Sequence, residues 1–364
     1  MAKRKRVGIL TSGGDCGGLN AVIRAVVRRA RNFDMEIYGI KDATVGLMAR
    51  PVEAELLDVH RVSGILRYGG TILGTVNKGN PFAFPMLDGS LVDRSADVIE
   101  GYHRLGLDAL IGIGGDGSLA ILRKLAHQGN WNFIGVPKTI DNDVGATENS
   151  VGFNTAVNVA VDALDQLTYT AISHSRVMVL EVMGRDAGHI AISAGIAGGA
   201  HVILIPEIPY SLDNVCKKLQ ERKERGNNFS MVVVAEAVKT ETGEPVKYTN
   251  SLGQTLYGGI GQYISNQISL RTGIETRVMI LGHLQRGGTP SPLDRVLGSA
   301  FGVAAVDLVV QERFDRMVAW QNRRVVDVPL AEAIAEDRGV EPDGALVATA
   351  LGLNTYIGEV GSRA

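Results

Sequence analysis

Residues 135–143 read GVPKTIDND, an apolar run that ends in Pro, Lys and Thr and then sets two carboxylates around an asparagine. A turn calls for the proline and the asparagine, but not for a lysine and two acids so close together. Asp141 in such a cluster can take a proton from a substrate hydroxyl, with Asp143 in support; an Asx-type turn with solvated acids is the alternative. A second cluster, GIGGDG at 112–117, has the glycine spacing that admits a dinucleotide pyrophosphate to the backbone. Asp116 argues against that use, because a carboxylate repels pyrophosphate unless a cation lies between them. With Mg2+ there, Asp116 becomes a metal ligand and the glycines still let phosphate approach; a glycine-rich turn capped by the aspartate is the other reading. TSGGDCGG at 11–18 is a further loop of this kind, and two such loops favour a phosphate cradle. The chain has no G-x-x-x-x-G-K-[ST], which excludes a P-loop NTPase.

Cations to match a phosphate are also present. Arg176, Arg185, Arg277, Arg286 and His283 flank apolar runs or their ends, and guanidinium forks fit phosphate oxygens bidentately. Singly, each is an ordinary surface residue. Together with GHLQRGG, a glycine-padded turn holding His283 and Arg286, they point to a phosphorylated substrate. The seven histidines show no zinc-binding spacing. Arg24 and Arg28, four apart on a helical pattern, read by default as a solvated face.

The elements that must position these groups repeat one grammar: apolar strand, polar glycine-rich turn, amphipathic helix. VGIL (7–10), ALIGI (109–113), NFIGV (132–136), VMVLEV (177–182), MVVVA (231–235) and RVMIL (277–281) are the apolar runs, and the turn after 136 is PKTIDND. Strands alternating with helices imply parallel βαβ units, whose ligands bind outside the carboxyl ends of the strands. Asp15, Asp116, Asp141, Arg185, Glu236, His283 and Arg286 all fall at such ends and are expected to share one or two clefts. Residues 238–257 read as a surface excursion, and the C-terminal stretch from Glu341 as weakly patterned and partly mobile.

Composition sets the frame. A chain of 364 residues favours two domains, and 45 glycines without a period exclude collagen-like and low-complexity readings. A net charge of −2 gives no mark of a nucleic-acid binder. The opening MAKRKR is followed by too short an apolar run for a signal peptide, and Ile190 to Pro206 is too short and glycine-rich to span a bilayer. Two cysteines suit a reducing, cytoplasmic setting.

TSGGD (11–15), GGDGS (114–118), P-x-TIDND (137–143), MGR-x-x-G (183–188) and GH-x-QRGG (282–288), in this order, resemble the 6-phosphofructokinases from about Val7 to about residue 330. The resemblance implies two similar doubly wound, Rossmann-like α/β domains with mostly parallel sheets. A donor (ATP/Mg) domain would comprise 1–152 plus 285–335, and a fructose 6-phosphate domain 153–284 plus 336–364. The implied reaction moves the terminal phosphoryl of ATP to the 1-hydroxyl of fructose 6-phosphate in glycolysis. By position, Asp141 matches the base, Thr139 a residue on the moving phosphoryl, and Arg185 a stabiliser of transition-state charge. Asp116 matches the Mg2+ ligand, while Gly13, Gly14, Gly115, Gly117 and Ser118 match the lining of the donor phosphates. Met183, Gly184, Arg185 and Glu236 match the sugar site, and His283 and Arg286 the binders of its phosphate. Arg176 and Arg277 match arginines that serve a neighbouring subunit's site, which implies a homotetramer.

Departures from the family pattern carry information too. Lys138 stands where ATP-using bacterial relatives have glycine and pyrophosphate-using ones have lysine. Gly117 stands where pyrophosphate users carry an aspartate that would fill the nucleoside's space. Gly117 favours ATP, and a pyrophosphate-dependent phosphotransferase is the alternative. Asn77 replaces a common phosphate-binding arginine, and Lys78 can substitute as a point charge. Arg24, Arg28 and Arg225 match part of the family's effector site, whereas Thr168, His201 and Asn227 depart from it. An NAD-dependent oxidoreductase would explain GIGGDG but not TIDND, and a non-catalytic sensor would be expected to lack Asp141 or Asp116.

Overall fold

The computed structural model describes residues 4–77, 79–249, 255–335 and 338–360. The chain divides into two compact units, each discontinuous in sequence. The first comprises Met1–Ile140, Val144–Thr155 and Arg286–Asp337; the second comprises Asp141–Asp143, Ala156–Gln285 and Arg338–Ala364. Asp141–Asp143 thus groups with the second unit, not with the segment ending at 152.

The first unit is built on one twisted sheet. Its order is Arg324–Pro329, Arg316–Gln321, Phe133–Thr139, Ala109–Gly114, Arg6–Thr11, Glu36–Ile40, Ala54–Leu57. The five inner strands are parallel and the two edge strands antiparallel. The strands Ala109–Gly114 and Phe133–Thr139 are buried along their whole length, as strands covered on both faces must be. The latter does not stop at Val136, as the apolar run suggests. It continues through Pro137 to Thr139, because Val151–Gly152 pairs with Lys138 and Thr139 and supplies the ladder that the local sequence lacks. Helix Asp116–Gly129 is pinned by a bidentate ion pair from Arg123 to Asp315, at 2.7 and 2.8 Å.

The second unit carries a four-stranded parallel sheet in the order Val202–Leu204, Ser230–Ala235, Val177–Val182, Thr276–Ile280. The apolar stretch from Ile190 folds as helix His189–Ala197 and then strand Val202–Leu204. Among the described residues no helix is long and apolar enough to cross a membrane. Glu181, buried in mid-strand, accepts N–H bonds from Gly259 and Gly261 and so seats helix Ile260–Thr272; burial raises its pKa. Two segments are more regular than their sequence pattern suggests. Within 238–257, Lys247–Thr249 pairs antiparallel with Thr255–Tyr257. Ala345–Gly352 is a helix packed on His189–Ala197, invisible as a pattern because its residues are uniformly small or apolar.

Candidate active site

In the first unit, the loop after Arg6–Thr11 and the turn that opens helix Asp116–Gly129 lie at neighbouring strand ends, since the two strands pair directly. A Cβ on Gly13, whose φ is +82°, would stand 3.0 Å from Ser118 Oγ and 3.4 Å from Lys138 Nζ. Glycine is therefore needed there both for conformation and for the close approach. Lys138, only 3% exposed, donates from Nζ to the Gly14 carbonyl at 2.5 Å. Arg286 Nη1 donates to the Asp15 carbonyl at 3.2 Å and lies against Gly14. Two cations thus flank one glycine loop, a concentration of positive charge suited to phosphate. Gly117 faces open space, with nothing within 4 Å of a Cβ placed on it. Asp116 opens its helix beside Gly115.

Among the described residues no group of three or more His, Cys, Asp or Glu could hold a metal. One carboxylate at a phosphate cradle nonetheless fits Mg2+, which is held by one or two carboxylates together with substrate phosphates and water. Thr139 ends its strand 8% exposed, fixed by pairing with Gly152. Asn77 is exposed at the end of the 70–77 loop, and Lys78 lies outside the described residues.

In the second unit, Asp141, Asn142 and Asp143 form a turn with every residue under 8% exposed, and Asn142 takes the left-handed conformation at φ +56°. The Asp143 carbonyl accepts the Arg338 N–H at 2.7 Å. The loop after Val177–Val182 is shaped by Gly184 at φ +152°, where a Cβ would meet the Ala187 carbonyl oxygen at 2.4 Å. Its N–H groups are taken up in turn. Met183 donates to Gln285 Oε1 at 2.7 Å, Arg185 to Glu236 Oε1 at 2.9 Å, and Gly188 to Glu207 Oε1 at 2.9 Å. Burial pushes the Glu236 carboxyl up to about 7, the Arg185 N–H bond opposes the rise, and the charge of Asp141 adds to it. Met183, Gly184, Arg185, Glu236 and Asp141 therefore belong to one electrostatic neighbourhood within this unit.

His283 is exposed on the short 3-10 turn Gly282–Arg286. Arg286 closes that turn, and its side chain meets the Gly14–Asp15 loop of the first unit. Arg176 and Arg277 share one acid, Glu275, at 3.1 and 2.7 Å, beside the exposed edge strand Thr276–Ile280. Sequence reasoning passed over Gln285 and Glu207, which brace the Met183–Gly188 loop. The first sits inside the GH-x-QRGG stretch, and the second has no motif to mark it.

Arg24 and Arg28 lie on helix Leu19–Ala30 of the first unit. Burial, and then the neighbouring Arg28 charge, lowers the pKa of Arg24, whose Nε has no hydrogen bond among the described residues. Arg225 belongs to the second unit, where it lines a cavity of about 300 Å3 with His201, Lys218, Arg222 and Asn227. Burial, with Arg222 and Lys218 nearby, lowers the His201 imidazole to about 4, and its Nδ1 accepts the Met231 N–H.

A family profile described as Phosphofructokinase matches residues 6–309. A Nostoc sp. protein named ATP-dependent 6-phosphofructokinase 1 is 62% identical over 99% of this chain and 100% of its own length. A Synechocystis sp. protein of the same name is 61% identical over 98% and 99%. Among solved structures, Pichia pastoris phosphofructokinase superposes with a TM-score of 0.80 at 28% identity, covering 97% of this chain and 37% of that longer one. A pyrophosphate-dependent phosphofructokinase from Marinobacter aquaeolei superposes with a TM-score of 0.77 at 21% identity, covering 96% and 92%, which speaks for the fold alone.

Proposed function

The chain belongs to the phosphofructokinase family, and from that premise we propose how its residues divide a single phosphoryl transfer. The reaction moves the terminal phosphoryl of ATP to the 1-hydroxyl of fructose 6-phosphate in glycolysis, in keeping with the ATP-dependent relatives at 61–62% identity. The pyrophosphate-dependent alternative is not favoured. The open space beside Gly117 leaves room for a nucleoside, which supports the same donor.

Gly13, Gly14, Gly115, Gly117 and Ser118 present the donor cradle, and Lys138 neutralises phosphate charge while bracing Gly14. Asp116 holds the divalent metal, proposed as Mg2+. When bound, the metal neutralises charge on the donor phosphates. Asn77 and Lys78 complete the donor side. In the second unit Met183, Gly184, Arg185, Glu236 and His283 bind the sugar phosphate. Arg286 is proposed as a further binder of that phosphate.

Asp141 accepts the proton of the 1-hydroxyl as the oxygen attacks, and the Arg185 guanidinium balances charge developing on the transferring group. The observation that supports this assignment is that Thr139, assigned here to the moving phosphoryl, closes a buried strand two residues before Asp141 opens a buried turn. Thr139 held by its pairing with Gly152, and Asp141 held in a buried turn, are the fixed positions that in-line transfer requires.

Arg176 and Arg277 act in the site of a neighbouring subunit in a cytoplasmic homotetramer. Exposed Met279 and Ile280 on the same edge strand support a second copy docking there. Arg24, Arg28 and Arg225 serve an anionic effector, which the basic cavity around Arg225 supports. The test is turnover of purified protein with fructose 6-phosphate and either ATP or pyrophosphate. ATP supports turnover; turnover with pyrophosphate and none with ATP refutes the donor.

A further inference from the structure

Asn20, on the first turn of helix Leu19–Ala30, is 1% exposed, and both ends of its amide are engaged by one distant segment. Its Nδ2 lies 3.1, 3.3 and 3.1 Å from the carbonyl oxygens of Tyr68, Gly69 and Gly70, and its Oδ1 accepts the Ile72 N–H at 2.9 Å. The held segment continues into the 70–77 loop, which is laid along the glycine cradle. Thr11 Oγ1 bonds Thr71 Oγ1 and the Gly74 carbonyl, Thr75 Oγ1 donates to the Gly13 carbonyl at 2.6 Å, and the Gly13 N–H donates to the Val76 carbonyl at 3.3 Å. The same segment abuts Gly288 of the first unit, since a Cβ on Gly69 would meet the Gly288 carbonyl oxygen at 2.2 Å.

From this geometry we propose that Asn20 is a positioning residue for the phosphoryl donor. It touches no donor atom itself; it fixes the stem of the loop that pairs with Gly13 and carries Asn77. This rests on the donor assignment made above. The amide is needed for its two faces. A carboxylate of the same shape would set negative charge against three carbonyl oxygens, and an apolar side chain would leave the Ile72 N–H and those carbonyls without a partner. The cost falls on the loop and not on the sheet, because the strands flanking this site carry their own ladders.

The experiment compares full-length wild type and Asn20→Asp. Calorimetry measures binding of a non-hydrolysable ATP analogue with Mg2+ in the absence of sugar, and steady-state kinetics gives KM for each substrate. In the variant we expect nucleotide Kd and the KM for ATP to rise about tenfold or more, with the KM for fructose 6-phosphate within twofold and Tm little changed. Unchanged nucleotide affinity overturns the inference. So does a parallel rise of both KM values with a collapsed Tm, which is what a merely structural residue would give. If Asn20→Asp does not fold, Asn20→Ser takes its place: a selective loss of nucleotide affinity supports the inference, and unchanged affinity overturns it. Wild type that fails to bind the analogue refutes the donor assignment and this inference with it, whereas wild-type binding matched by the variant refutes Asn20 alone.

Discussion

Glu236→Gln tests whether the Met183–Gly188 loop is organised around a partly buried acid. Glu236 Oε1 accepts the Arg185 N–H at 2.9 Å, and an amide oxygen can do the same, so the variant keeps the contact and removes only the charge. Burial, opposed by that hydrogen bond and reinforced by the charge of Asp141, lifts the carboxyl from 4.5 to about 7. A folded-state pKa above the unfolded one means that the stabilisation is complete below pH 4.5. It is then lost as pH rises through about 7. The ceiling is about 3 kcal/mol at ~1.4 kcal/mol per pH unit, and solvent reaching the half-buried group reduces it to about 2 kcal/mol. Urea unfolding of wild type and variant at pH 5 and pH 8, at one protein concentration, reads the effect directly. The variant should gain about 2 kcal/mol on the wild type between the two conditions, with m unchanged. An equal difference at both pH values refutes the assignment of the raised pKa to Glu236.

The remaining predictions concern the reaction. Asp141→Asn keeps the shape of the base and removes its ability to take a proton, so kcat should fall by about 10²–10⁴ while fructose 6-phosphate binding survives. Loss of binding with kcat retained would contradict the role. Gly184→Ala places a Cβ 2.4 Å from the Ala187 carbonyl oxygen and must displace the loop that carries Arg185. The kcat/KM for fructose 6-phosphate should fall by about 10²-fold while nucleotide binding is kept, and a KM within twofold of wild type would show that the loop is not the sugar site.

Three inner strands of the first unit were legible because they are continuous apolar runs ending in glycine-rich turns, each starting within a residue of its strand, whereas Glu36–Ile40, Ala54–Leu57, Arg316–Gln321 and Arg324–Pro329 carry no such run and were not read as strands. The tight glycine loops at Gly13 and Gly115 were legible for the same reason: the glycines needed for close approach are themselves the pattern. What escaped depends on partners far away in sequence. Pro137–Thr139 is strand only because Val151–Gly152 lies beside it. The contact of Arg286 with the Gly14–Asp15 loop spans most of the chain and left no local trace. Gln285, Glu207 and Asn20 act through backbone N–H and carbonyl groups, which carry no residue identity for a motif to record. Ala345–Gly352 lacks a polar face, so helical periodicity could not reveal it.

The discontinuity of the first unit sets an order on its synthesis. Phe133–Thr139, which ends in Lys138 and Thr139, is an inner strand of the finished sheet only because Arg316–Gln321 pairs with it at Ile134 and Gly135. Between those two strands the ribosome must make the whole parallel sheet of the second unit. At roughly 5–20 residues per second, the growing chain carries an open, largely apolar strand edge for about ten to thirty-five seconds. Such an edge is a template for pairing with other chains. Sheltering that strand until residue 316 emerges is thus a demand placed on the translating cell, and it falls on the strand that leads the chain into the buried Asp141–Asp143 turn.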